Sequence, residues 1–113
     1  MEPRLATSVL VSSLIRRAES EGGFAAVLAK GDPTAGSLLV ILTEKGGKPR
    51  LMERILHPDG RYIWQEMAIQ SADNAEEFER ILERRRRFDP DIWLIELDVA
   101  SAERFAAEMN SER

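Results

Sequence analysis

Four carboxylates late in the chain are the residues whose types and spacing best suit metal chemistry. Asp89 and Asp91 flank a proline, and Glu96 and Asp98 follow within the apolar segment DIWLIELDV. Because alternate residues of a strand point to the same side, Glu96 and Asp98 would share one face. Two such oxygens and a loop aspartate are ligands that Mg²⁺ accepts, but spacing alone does not create an octahedral site. We therefore favour a turn at 89–91 and a sheet face whose carboxylates meet nearby arginines, and we predict no metal site.

The run Arg84–Arg87 is the densest concentration of one charge in the sequence. Such a run can hold phosphate or an acidic partner. It also ends a predicted helix that begins with Glu76, Glu77 and Glu79, so that opposite charges match the two ends of the helix dipole. We favour this second, structural interpretation.

Arg85 differs from its neighbours because it lies seven residues after Phe78, on the apolar stripe of the same predicted helix. An arginine that faces a core must reach the surface or pair with a carboxylate. The structural interpretation is an internal ion pair between arginine and carboxylate, and the functional one is a polar pocket at the junction of this helix and the next strand; we favour the ion pair. In either case the residues would be Arg85, Asp89, Asp91 and Glu96.

A loop rich in turn-forming residues, GDPTAG over 31–36, is a candidate anion site. Gly31, Asp32 and Gly36 would let several backbone N–H groups converge on one anion. The loop is not a P-loop, because no Gly-Lys-Ser/Thr is present. A hairpin connection explains the same residues, since glycine supplies positive φ and Asp-Pro opens a turn. The hairpin is favoured.

The composition argues against several classes of chemistry. The chain has no cysteine and one histidine, His57, which excludes thiolate chemistry and multi-histidine zinc sites. His57 begins the segment HPDG, whose proline and glycine positions suit a type I turn. We therefore predict no catalytic residue and no cofactor.

The elements that carry these residues follow from the spacing of apolar side chains. A helix is predicted over 8–21, capped by Thr7 or Ser8 and stopped by Gly22-Gly23. Strands are predicted over 24–30, 37–43, 49–56 and 61–69, joined by short turns into an antiparallel meander. A short strand over 4–7 would precede the first helix.

A second helix is predicted over 74–88, with Asp73 and Glu76 as a capping box and Asp89-Pro90 as its end. A strand over 91–99 and a last helix that buries Phe105 and Met109 follow. The order (β)-α-β-β-β-β-α-β-α predicts one α+β domain over residues 1–113, with a mostly antiparallel sheet.

Tyr62 and Trp64 share one face of their predicted strand, opposite Ile63 and Met67. Three helices would hardly cover both faces of a five- or six-stranded sheet in a chain of this length. An exposed aromatic surface is typical of an interface. We therefore predict that Tyr62 and Trp64 contribute to a homo-oligomer or protein-partner interface.

The charge balance bears on partners and location. With 16 basic and 20 acidic residues the net charge is −4, which argues against nucleic-acid binding because that affinity comes mainly from phosphate neutralisation. No apolar run approaches the roughly 20 residues that span a bilayer. The beginning of the chain does not read as a signal peptide. The expected location is the cytoplasm, with no membrane partner.

Two stretches, GGFAAVLAKGDPTAGSLLV over 22–40 and ERRRRFDPDIWLIELD over 83–98, carry a family resemblance. Together with the order of elements they resemble an alphaproteobacterial family of small uncharacterised proteins, one of the numbered families of domains of unknown function. The resemblance implies a single-domain bacterial protein of the cytoplasm. It implies no activity.

The residues favour a non-catalytic interaction or regulatory module that self-associates. The alternative is a metal-dependent phosphodiesterase or another enzyme that handles nucleic acid. It would use Asp32, Glu44, Asp91 or Glu96 as ligands and the arginine run to hold phosphate. The spatial convergence of these carboxylates separates the two hypotheses.

Overall fold

The chain folds into a five-stranded sheet with helices on both faces, in a computed structural model that describes residues 6–47, 49–67 and 75–111. In chain order the elements are α1 (Thr7–Ser20), β1 (Phe24–Ala29), β2 (Leu38–Glu44), β3 (Arg50–Leu56), β4 (Tyr62–Glu66), α2 (Ala75–Phe88), β5 (Trp93–Val99) and α3 (Ala102–Ser111). The predicted α+β class and order of elements are confirmed. The optional strand over 4–7 is corrected in part, because Ala6 is the N-cap of α1 and Thr7 is its first residue. Residues 4 and 5 lie outside the described ranges.

The strand order is β1-β5-β2-β3-β4. β5 runs parallel to β2 and antiparallel to β1, and the pairs β2–β3 and β3–β4 are antiparallel. The sheet is thus mostly antiparallel, as predicted, but the meander comprises only β2, β3 and β4. Because β5 is inserted between β1 and β2, the loop 31–36 is not a hairpin connection. It crosses the end of β5 instead.

The central strand β2 is apolar on both faces, which is why it can be covered from both sides. Six consecutive residues of β2, from Leu38 to Thr43, are buried. The face that carries Leu38 and Ile95 packs against α1 and α3, and we call it the α1/α3 face. The face that carries Leu39 and Leu94 packs against α2, and we call it the α2 face.

The three helices therefore do cover parts of both faces, which corrects the expectation from chain length. The α1/α3 core is the larger one: Val11, Leu14, Ala18, Leu38, Val40, Leu42, Met52, Trp64, Trp93, Ile95, Leu97, Val99, Ala102, Phe105 and Met109. The α2 core is smaller: Leu39, Ile41, Leu51, Phe78, Leu82, Ile92 and Leu94. On the α2 face, Glu96 and Asp98 of β5 remain partly exposed.

The start of α1 is capped by another loop and not by its own side chains, which corrects the assignment of Thr7 or Ser8 as the cap. The N–H groups of Thr7 and Ser8 donate to the carbonyl oxygens of Thr34 (3.2 Å) and Pro33 (2.9 Å). The Thr7 hydroxyl donates to the carbonyl of Gly36 at 2.7 Å. At the other end Gly22 has φ 86°, and the helix stops there as predicted. The predicted capping box at Asp73 lies outside the described residues.

Candidate interaction site

The candidate anion loop is filled by its own aspartate. The carboxylate oxygen Oδ2 of Asp32 accepts the backbone N–H groups of Thr34 (3.2 Å) and Ala35 (2.7 Å). The N–H of Gly36 donates to the carbonyl of Asp32. The donors that an external anion would need are thus used by Asp32, in an aspartate turn.

Gly31 and Gly36 are explained by a close backbone approach to Asp91. A Cβ atom would lie 1.9 Å from the Asp91 carbonyl oxygen at Gly31, and 2.3 Å from it at Gly36. The N–H of Asp32 donates to the same carbonyl at 3.0 Å, and the indole N–H of Trp93 donates to the Asp32 carbonyl at 2.8 Å. The two stretches that carry the family resemblance are therefore in direct contact.

Arg85 forms its ion pair with a residue of β3, not with the carboxylates near it in sequence. Its Nη2 atom lies 2.5 Å from Oε2 of Glu53, and its Nη1 atom lies 3.6 Å from the sulfur of Met67. This hydrogen bond raises the pKa of Arg85, and the nearby charge of Asp89 acts in the same direction. The predicted internal ion pair is present, but its partner is corrected from Asp89, Asp91 or Glu96 to Glu53.

The remaining carboxylates of the predicted sites are spread over separate local structures. Asp89 accepts the N–H of Asp91, Asp98 accepts the N–H of Gly46, and Glu44 accepts the N–H of Ala102 at the start of α3. Asp32 lies beside the beginning of β5, where its carbonyl accepts the indole N–H of Trp93. Glu96 lies three residues further along β5 than Trp93, about 10 Å at the usual rise per residue. Within the described ranges no three His, Asp or Glu side chains are grouped as a cation would require.

The predicted aromatic surface on β4 is largely covered. Trp64 is 9% exposed and belongs to the α1/α3 core. Tyr62 is partly buried, and the guanidinium of Arg54 lies 4.0 Å from the centre of its ring. Trp64 is therefore corrected from an exposed interface residue to a core residue.

One side chain of α3 closes the middle of the outer edge of β4, at Trp64. The Trp64 N–H donates to Oδ1 of Asn110 at 2.7 Å, and Nδ2 of Asn110 donates to the Trp64 carbonyl at 3.0 Å. Asn110 thus presents one acceptor and one donor to the strand, as a neighbouring strand would.

The outer edge of β1 is open over the described part of the chain. β5 is the only described strand that pairs with β1. The strand reads FAAVLA, and its exposed large side chains are Phe24 (78%), Val27 (40%) and Leu28 (47%). An edge strand with no charge and no proline lacks the devices that normally prevent edge-to-edge pairing.

A basic cleft lies on the α2 face at the C-terminal end of β1. Its volume is about 390 Å³, and its lining is Ala29, Lys30, Glu83, Arg86, Arg87, Pro90 and Ile92. Arg87 pairs with Glu83 at 3.1 Å. Lys30 and Arg86 form no ion pair with any described residue.

The sequence model of the family described as "Protein of unknown function (DUF1491)" matches residues 5–107. The chain belongs to the DUF1491 family. This confirms the prediction, made from the two sequence stretches, that the chain belongs to a numbered family of uncharacterised proteins. No protein with a curated description matches this DUF1491 chain.

Solved structures of related proteins have the same fold. The crystal structure of a DUF1491 family protein from Caulobacter crescentus CB15 is 35% identical, has a TM-score of 0.78, and is matched over 90% of this chain and 94% of that chain. An NMR structure of a DUF1491 family protein from the same organism is also 35% identical, with a TM-score of 0.77 and coverage of 92% and 94%. A solution structure from A. tumefaciens is 30% identical, with a TM-score of 0.75 and coverage of 91% and 92%. Both organisms are alphaproteobacteria.

Two features of this DUF1491 protein were missed by reasoning from the sequence. The sequence prediction joins FAAVLA to 37–43 as the first strand of a meander and gives its outer edge no role, whereas the structure pairs it with β5 and leaves its outer edge without a described partner. The cleft was missed because Lys30 and Arg86 are 56 positions apart in the numbering. The absence of charge from the short strand FAAVLA was a usable signal for the open edge.

No helix within the described ranges is long and apolar enough to cross a membrane.

Proposed function

We propose that this DUF1491 protein is a single-domain, non-catalytic interaction module of the bacterial cytoplasm that associates with a second copy of itself. The observation that carries the proposal is the open, apolar edge of β1. An unpaired strand edge offers a row of backbone N–H and C=O groups to an added strand, and exposed side chains beside it supply apolar contact.

The contrast between the two edges of the sheet supports this assignment. Asn110 occupies the outer backbone groups of Trp64 on β4. On β1, exposed Val27 and Leu28 stand where edge strands usually carry lysine or proline. Protection of one edge and not the other favours β1 as the strand that meets a partner.

The polar groups that an enzyme would use support the same proposal. Asp32 fills its own loop, Glu44 caps α3, and Arg85 is held by Glu53. Each of these interactions has a structural purpose that does not need a substrate. The arrangement therefore favours a binding role over the phosphodiesterase alternative.

The first test measures the oligomeric state with β1 intact and altered. Sedimentation velocity of the full chain over micromolar concentrations is expected to show a dimer. Val27→Lys places a charge on the open edge and is expected to give a monomer, while Gln65→Lys, on the closed edge of β4, serves as the matched control and stays dimeric. A wild type that remains monomeric throughout this range would overturn the proposal.

A second test addresses the enzyme alternative directly. The melting temperature is expected to stay constant when Mg²⁺ or Mn²⁺ is added. A ligand at 100 times its Kd would stabilise the folded state by about 2.7 kcal/mol. A rise that disappears in Glu96→Gln would contradict the non-catalytic proposal and favour the phosphodiesterase.

A further inference from the structure

We infer that two copies pair β1 with β1 in antiparallel orientation, so that the basic cleft of each copy faces the acidic end of the other copy's sheet. The acidic end consists of Glu96 and Asp98 on the α2 face of β5. This inference rests on the proposed self-association and specifies its geometry. The resulting sheet would be continuous, with ten strands.

The symmetry of such a pairing decides which surfaces meet. Two identical edge strands that pair in antiparallel orientation are related by a two-fold axis perpendicular to the sheet. The two α2 faces then lie on the same side of the joint sheet. The C-terminal end of β1 in one copy lies beside the N-terminal end of β1 in the other.

The two charged regions lie beside opposite halves of β1 on that one face. In the N-terminal half, Phe24 at the end of the strand is paired with Asp98, and Ala26 near its middle is paired with Glu96. At the C-terminal end, Ala29 and Lys30 line the basic cleft. Antiparallel pairing therefore brings the cleft of each copy next to the acidic end of its neighbour, twice in the dimer.

The distance suits long side chains. Neighbouring strands are about 4.8 Å apart, so β5 of one copy lies about 10 Å from β1 of the other, across its own β1. Lys30, which directly follows β1, and a glutamate on the other side can span that distance between them, and Arg86 lines the same cleft as Lys30. The direct contact would form at the rim of the interface and not in its centre.

The charges involved are those that the single chain leaves unmatched. Lys30 and Arg86 form no ion pair with any described residue, and the Glu96 carboxylate has no hydrogen-bond or ion-pair partner among the described residues. A second copy supplies the opposite charge to each of them. This complementarity favours a second copy of the chain over another protein as the occupant of the edge.

The two most exposed aromatic side chains fit the same arrangement. Phe24 is 78% exposed at the acidic end, and Phe88 is 80% exposed at the last residue of α2, next to Arg87 of the cleft. The two-fold operation brings the end of the sheet that carries Phe24 toward the end of the partner's α2. Both aromatic side chains would then lose solvent exposure on association.

Charge reversal across the interface tests this geometry. Arg86→Glu and Glu96→Arg are each expected to raise the dissociation constant about tenfold, since each faces a like charge, and the double variant is expected to recover most of that loss. Arg84→Glu makes the same charge change outside the cleft and is the matched control, with affinity near that of the wild type. Analytical ultracentrifugation gives the constants.

The outcomes separate this inference from the proposed function. A wild type that is monomeric overturns both. A dimer whose affinity is insensitive to Arg86→Glu and Glu96→Arg, or whose double variant shows no recovery, overturns the charge arrangement and leaves self-association in place.

A cross-linking experiment keeps the geometry testable if a charge variant fails to fold. The chain contains no cysteine, so a single introduced thiol has no competitor. Ala26→Cys, near the middle of β1, is expected to give a covalent dimer with a short bismaleimide, and Gln65→Cys on β4 is the control that stays monomeric under denaturing electrophoresis. Equal cross-linking of both variants would contradict pairing through β1.

Discussion

At the scale of single residues, the loop 31–36 resembles an anion site whose N–H groups bind a carboxylate of the loop itself. Asp32 provides the negative charge that a ligand would bring, and it accepts the N–H groups of Thr34 and Ala35. The loop in turn accepts the first N–H groups of α1 and the indole N–H of Trp93. Its role is to join α1 to the beginning of β5.

The first prediction concerns the glycine that allows this contact. Gly36→Ala is expected to lower the free energy of unfolding by about 2 kcal/mol or more, because a Cβ atom would lie 2.3 Å from the Asp91 carbonyl oxygen and the backbone must shift. Gly46→Ala is the control: its φ of 74° costs about 1 kcal/mol, but no atom lies within 4 Å of its added Cβ. Urea denaturation measures both, and equal losses would contradict the steric explanation.

The second prediction concerns Asp59 in the turn between β3 and β4. The Arg61 backbone N–H, followed by the Arg61 side chain, lowers the pKa of Asp59 from 3.8 to about 2. Because the folded pKa is depressed, the stabilisation is present above pH 3.8 and is lost as the pH falls toward 2. Asp59→Asn is therefore expected to lose less melting temperature than the wild type over this interval. Thermal melts from pH 2 to pH 6 compare the two, and parallel curves would contradict the assignment.

At the scale of elements, an apolar stripe and the ion pair of Arg85 hold α2 to its face of the sheet. Phe78 and Leu82 supply the apolar contacts, and Arg85 reaches Glu53 on β3. The ion pair is partly exposed, with 31% of the Arg85 side chain and 24% of the Glu53 side chain accessible. A directed contact of this kind sets where the helix sits along the sheet.

The third prediction is the strength of this ion pair. A double-mutant cycle with Arg85→Met and Glu53→Gln is expected to give a coupling of about 1 kcal/mol, which is a charge-assisted hydrogen bond reduced by solvent screening. The control cycle uses Arg87 and Glu83, whose side chains are 72% and 71% exposed, and is expected to give a coupling near zero. Similar couplings in the two cycles would show that Arg85 has no special role.

The fourth prediction concerns the closed edge of β4. Asn110→Ala removes the partner of both outer backbone groups of Trp64 and is expected to cost about 1 kcal/mol of stability. It is also expected to increase concentration-dependent association, because the edge becomes available to another strand. Glu103→Ala, on the exposed side of the same helix, is the control. Chemical denaturation and light scattering measure the two effects, and an unchanged association would contradict the protective role of Asn110.

At the scale of the whole molecule, the sheet is asymmetric. Among the described residues, α3 pairs with the backbone of one end strand at Trp64, and the other end strand has no partner on its outer edge and is flanked by a basic cleft and an acidic end. This asymmetry favours a closed dimer over an extended assembly, since each copy has one open edge.

The fifth prediction follows from the charges of that dimer. Raising NaCl from 0.1 M to 1 M shortens the Debye length from about 10 Å to about 3 Å, so the dissociation constant is expected to increase with salt. The melting temperature of the wild type should rise with protein concentration, while that of Val27→Lys should not. Sedimentation and differential scanning fluorimetry measure these effects. A salt-independent constant would indicate that apolar contacts along β1 act alone.

Local sequence patterns by themselves determined which helices and strands this protein forms and in what order. The apolar spacing over 8–21 and 74–88 and the turn residues at 22–23 and 57–60 sufficed for the type and order of the elements, because helix and strand periods are properties of nearby residues. The Arg-rich helix end also showed from sequence that Arg85 needs a carboxylate partner, since it falls on the apolar stripe.

Only the tertiary structure decided which elements are neighbours. The insertion of β5 between β1 and β2 turned an expected hairpin into a crossing loop and made β5, in place of β2, the neighbour of FAAVLA. The same long-range packing gave Arg85 the Glu53 carboxylate, 32 positions away, and brought Lys30 beside Arg86. These pairings depend on burial and backbone hydrogen bonds between distant segments, which leave no periodic trace in either segment alone.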